Sequence, residues 1–162
     1  MRLQFILAVL FFFPVLLVQT TIIPLISIGN ITPNIIIILL VFYTIKNGQI
    51  FGTLLGFVFG FLFDLITGSI LGSSMIAKTI AGFSAGYFSS ETKRAIYLKP
   101  ANFSLIVFLS SLFYSIIYSL FSTLDFTTTV LNLLFEHALL PALFTAVISL
   151  FLIFFYPKRK LF

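Results

Sequence analysis

Six apolar stretches, separated by short polar or glycine-bearing breaks, take up nearly all of the chain. They run roughly over residues 3–20, 33–47, 49–66, 72–90, 102–122 and 137–156. An apolar helix needs about 20 residues to cross a hydrocarbon core, and these stretches approach or reach that length. Backbone at that depth must satisfy its own N–H and C=O groups, so each stretch is predicted to be a helix. The first starts directly after Met1-Arg2, is longer than a secretory core and has no small-x-small site behind it. That predicts a retained span rather than a signal peptide. The second opens at Pro33, a residue suited to a first helical turn, with Asn34 after it. Thr21 to Thr32 is apolar but carries Pro24 and Gly29, and is predicted to lie in the interface or dip partly inward.

A second period is laid over the first. Gly52, Gly56, Gly60, Asp64, Gly68 and Gly72 recur every four residues. Ser74, Lys78, Gly82, Gly86 and Ser90 form another such row, and Ser111, Ser115 and Ser119 a third, with Tyr114 and Tyr118 beside it. A spacing of four keeps residues on one helix face. Small side chains there let a neighbouring backbone come close. A helix-packing interface is therefore predicted at Gly52, Gly56, Gly60, Gly68, Gly72, Gly82, Gly86, Ser111, Ser115 and Ser119. The face bearing Gly52, Gly56 and Gly60, or the serine seam, is predicted to dock a helix of another protein. The seam also admits a second reading, as one wall of a small-molecule pocket with tyrosine hydroxyls to orient a ligand.

Composition names the solvent. The chain is 60% hydrophobic and 8% charged, with 23 phenylalanines in 162 residues. A water-soluble domain is excluded by that balance. The expected class is an all-α membrane protein of about six transmembrane helices in one bundle, a single polytopic domain over residues 1–162. There is no cysteine, hence no disulfide or thiol chemistry. The net charge of +5 orders the topology. Arg2, Lys46, Lys93, Arg94, Lys99, Lys158, Arg159 and Lys160 all fall on one side of the alternating spans. Asp125 and Glu136 fall on the other, with Asp64 close by. The positive-inside rule then puts both termini in the cytoplasm of a multi-pass inner-membrane protein. Tyr43, Tyr87, Tyr97 and Tyr156 lie near that inner surface. No soluble basic face exists to carry nucleic acid.

Few residues can carry chemistry. A tight connection at Thr67 to Leu71 would bring Asp64 and Lys78 side by side as an intramembrane charge pair, because a lone charge in lipid is costly. A proton relay through them lacks further titratable groups along its path. Glu136-His137 has no accompanying ligands at metal spacing, and no hydrolase, P-loop or dinucleotide motif is present. No enzyme activity, metal or cofactor is expected.

Pro33-Asn34 followed by an aliphatic run, Gly48, Gly52, Gly56-Phe57, Gly60, Asp64, Gly68, Leu71-Gly72, Gly82 and Tyr87 together resemble the MreD family of rod-shape membrane proteins. Pro33-Asn34 stands where that family usually has Pro-Asp, and Pro141 fits a proline of its last span. The motif-bearing part is about residues 33–90. The resemblance implies a non-enzymatic scaffold or regulator of cell-wall elongation. Its companion would be an MreC-like single-span protein, with RodA, a class B penicillin-binding protein and MreB in the wider assembly. Pairing of two copies is a further expectation. The resemblance also implies an architecture similar to the substrate-binding subunits of energy-coupling-factor vitamin transporters. The alternative function is accordingly capture of a vitamin-like molecule, using Asp64, Lys78, Tyr114 and Tyr118.

Overall fold

A computed structural model describes residues 2–27, 31–122 and 135–155. Gly29, Asp125, Tyr156 and the Lys158-Arg159-Lys160 cluster lie outside the described residues. Among those described, every extended element is helical. The order is α1 (Arg2–Leu17), a π-helical turn (Val18–Ile22), α2 (Ile23–Ile26), α3 (Ile35–Asn47), α4 (Gln49–Thr67) and α5 (Ser73–Gly86). Then follow α6 (Arg94–Tyr97), α7 (Pro100–Ser122), a second π-helical turn (Phe135–Leu139) and α8 (Leu140–Phe155).

Three of these stretches, Gln4–Ile26, Gln49–Thr67 and Pro100–Phe121, are long and apolar enough to cross a bilayer. Ile35–Asn47 and His137–Ile153 are apolar but shorter. The 13 residues of α3 rise only about 20 Å at 1.5 Å each.

Two expectations change. Thr21 to Ile26 does not break away from the first stretch, because the chain stays helical through the π turn into α2. Pro33 does not open the second helix either. Asn34 is its N-cap, with Oδ1 accepting from Ile37 N at 3.4 Å.

Both π turns are centred four residues before a proline. A helical proline lacks an N–H and crowds the carbonyl four residues back. For Pro24 that carbonyl belongs to Thr20, and for Pro141 to His137. Each lies inside a π turn, where the wider pairing takes up the misfit without ending the helix.

The helices pack as a bundle in which α4 and α5 make the most extensive pair. Helix α5 also lies on α7, α7 on α8, and α3 against both α4 and α5, while α1 covers α3 and α4. The core is aliphatic and aromatic. Phe12 stacks on Phe59 with ring centroids 4.5 Å apart, over buried Ile36, Leu40, Ile106 and Val107. The outside is apolar too: Leu25 is 84% exposed and Ile50 78%. An apolar surface this continuous would aggregate in water and is at home in hydrocarbon. The protein is a membrane protein.

Candidate functional site

The glycine rows hold the bundle together from within. A Cβ on Gly52 would strike the Thr44 side chain of α3. One on Gly56 would strike the Lys78 carbonyl, and one on Gly60 the backbone of Ser74 and Met75. From the other side, Gly82 faces the Gly52 carbonyl and Gly86 faces Gln49. The stripe expected to receive a foreign helix is thus filled by α5 and α3 of the same chain. Gly68 and Gly72 stand apart. Nothing lies within 4 Å of where their Cβ atoms would be, and both adopt left-handed backbone, with φ of 67° and 105°. They shape the turn between α4 and α5 and pack against no helix.

That turn is built around Asp64. Gly72 is the N-cap of α5 and has no side chain with which to cap it. Asp64, from the preceding helix, supplies the missing acceptor. Its carboxylate accepts from Gly72 N (2.9 Å), Ser74 N (3.2 Å), Met75 N (3.2 Å) and Ser69 Oγ (2.8 Å). The side chain is 1% exposed. A carboxylate on the free N–H groups at a helix start is favoured both by hydrogen bonding and by the helix dipole.

The direct ion pair with Lys78 is not formed. Asp64 is engaged by backbone instead, and Lys78 Nζ has no hydrogen-bond partner. Lys78 is wholly buried. Its ammonium lies 3.9 Å from the centre of the Phe63 ring and 4.8 Å from that of Tyr114. Aromatic faces stabilise a cation by about 0.5–2 kcal/mol but offer no acceptor lone pair of ordinary strength.

Next to these residues, at the same end of the bundle, lies a cavity of about 260 Å³. Helix α7 forms one wall with Ser111, Ser115 and Ser119, and the stacked Tyr114–Tyr118 pair, 5.5 Å between centroids. Phe63 closes the α4 side. The opposite wall is a hydrogen-bonded junction of three chain segments. Gln19 Nε2 donates to Pro33 O at 2.9 Å, and Gln19 Oε1 accepts from Ile35 N at 2.8 Å. Asn34 N donates to Thr145 Oγ1 at 3.0 Å, which itself donates to Pro141 O at 2.7 Å. His137 completes the lining, so Gln19 and His137 each come from a π turn. Such turns recur at functional sites because they re-aim a side chain without ending a helix.

Ser111, Ser115 and Ser119 line this cavity and are also nearly buried, on a helix packed against α5 and α8. Gln19, Thr32 and Thr145 were not singled out in the sequence. The prolines at 24 and 141 are the signal that could have pointed to Gln19 and His137.

A second, apolar hollow of about 410 Å³ runs between α1, α3, α7 and α8, with Val15, Leu39, Phe42, Phe103 and Leu152 among its walls.

The family model for the rod shape-determining protein MreD matches residues 1–159. No curated protein and no solved structure matches the chain.

Proposed function

The chain belongs to the MreD family, and from that premise we propose that it is a non-enzymatic scaffold or regulator of cell-wall elongation, joined to an MreC-like single-span protein inside the bilayer. The family supports a role in rod shape determination. The reading includes six membrane crossings in a single polytopic unit, both termini in the cytoplasm, in an arrangement similar to energy-coupling-factor substrate-binding subunits. It is supported by six apolar stretches in the sequence, five of which the described residues form into apolar helices, and by basic residues that fall on one side of the alternating stretches. RodA, a class B penicillin-binding protein and MreB are the wider partners in this reading. The family match favours shape determination over vitamin capture.

The observation that carries the intramembrane contact is that the glycine rows are already used. A partner helix must therefore rest on side chains, and the hollow between α1, α3, α7 and α8 is a concave apolar place for one. Interhelical contacts in lipid rest on such van der Waals fit.

Leu39→Trp, which fills the hollow, is expected to reduce co-purification with the MreC-like partner several-fold. Ile50→Phe, on the lipid-facing surface, should leave it unchanged. Equal recovery of the partner by both variants would place the contact elsewhere.

A further inference from the structure

Beside the polar cavity lie buried donors without a partner among the described residues. Among the described residues, Lys78 Nζ and Ser111 Oγ are buried and have no hydrogen-bond partner. Ser74 and Lys78 lie one turn apart on one face of α5. Ser111 lines the cavity directly, and the two rings that flank the Lys78 ammonium, Phe63 and Tyr114, line it as well. Several nearby acceptors are already engaged. Asp64 accepts from four groups at the start of α5. Gln19 Oε1, Asn34 Oδ1 and Thr145 Oγ1 each accept from a backbone amide.

What Lys78 lacks is an acceptor within hydrogen-bond reach, and an anion is the acceptor best matched to an ammonium. An ammonium can only donate, and it carries three N–H bonds. A buried charge is stable when paired and hydrogen-bonded. A cationic ligand would meet Lys78 as a like charge. A neutral ligand would leave the ammonium only the more distant charge of Asp64, which is held at the start of α5.

We propose that this cavity binds an oxyanion, a carboxylate or phosphate group borne by a small molecule or a lipid headgroup, which takes hydrogen bonds from Lys78 Nζ and Ser111 Oγ. The four-carbon stem of Lys78 carries the ammonium from the ring faces to the bound group. The site stands on the cavity alone and does not depend on the contact with an MreC-like partner, so it is tested on the purified chain.

The unfolding midpoint and native mass spectrum of the full-length protein would be followed in two arms. One adds glycerol 3-phosphate or succinate in detergent, with glycerol as the uncharged control. The other compares nanodiscs of phosphatidylglycerol with nanodiscs of phosphatidylcholine. The wild type should be stabilised, and should retain the anion, in at least one arm. A shift with the soluble anions identifies a small-molecule source, and a shift only with phosphatidylglycerol identifies a headgroup. Lys78→Met keeps the length of the stem and removes the charge. Its affinity should fall by about thirtyfold or more, as when one member of a buried charge pair is removed. Ser111→Ala should weaken binding several-fold and serves as the deciding variant if Lys78→Met does not fold. No anion-dependent shift in either arm, as a cavity holding water only would give, overturns the proposal. So does a shift of equal size in wild type and variants.

Discussion

Asp64 is the residue on which the α4–α5 turn depends. Its carboxylate replaces the side-chain cap that Gly72 cannot provide, and it does so for three backbone amides at once. Removing an N-cap acceptor costs about 0.5–2 kcal/mol, and these amides have no water to turn to if the end of α5 sits in lipid. Asp64→Ala should lower thermal stability in detergent by an amount near the upper end of that range. Asp64→Asn, whose amide oxygen can still accept, should lose less. An unchanged midpoint for Asp64→Ala would mean the cap contributes nothing. The sequence made it legible that Asp64 faces protein, because it sits on the small-residue row. Its partners were not legible. They lie in a turn whose path is set by two glycines with positive φ, and residue spacing does not encode that path. Opposite charge pointed to Lys78, whereas local backbone geometry takes the carboxylate first. Asn34 shows the reverse case: its side-chain type signals an N-cap, and an amide performs that task as a carboxylate would.

Helices α4 and α5 owe their contact to absent side chains. Within a helix, glycine to alanine normally gains about 0.8–1 kcal/mol of propensity. At Gly56 and Gly60 the added methyl would meet the backbone of α5, which cannot step aside as a flexible side chain would. Overpacking of that kind costs roughly 1–3 kcal/mol, so the steric loss outweighs the gain. Gly56→Ala and Gly60→Ala should each lower the unfolding midpoint, and Gly56→Leu more so; a rise for either alanine variant would show that the helices are not in contact there. The four-residue period in the sequence points to close approach, which Gly52, Gly56 and Gly60 make and Gly68 and Gly72 do not. It could not say whether the approaching helix belongs to this chain or another, since the physical requirement is the same in both. The π turns were hidden for a related reason. Pro24 reads as a break and Pro141 as a residue of the last span, because pattern alone does not show that a helix can widen for one turn and continue.

The described residues present a largely apolar outside, and many of their buried polar groups lie around Asp64, Lys78 and the seam of α7. This segregation follows from composition and was legible from the start. The cavity was not, because it forms where α1, α3, α4, α7 and α8 converge from distant parts of the chain. In the proposed reading, the molecule's work in shape determination rests on what packs against it and into it. The most direct test is a clean chromosomal deletion in a rod-shaped host, with the ratio of cell length to width as the readout. The account predicts rounded cells that return to rods when the wild-type gene is restored. Cells that keep normal rod dimensions without it would contradict the account.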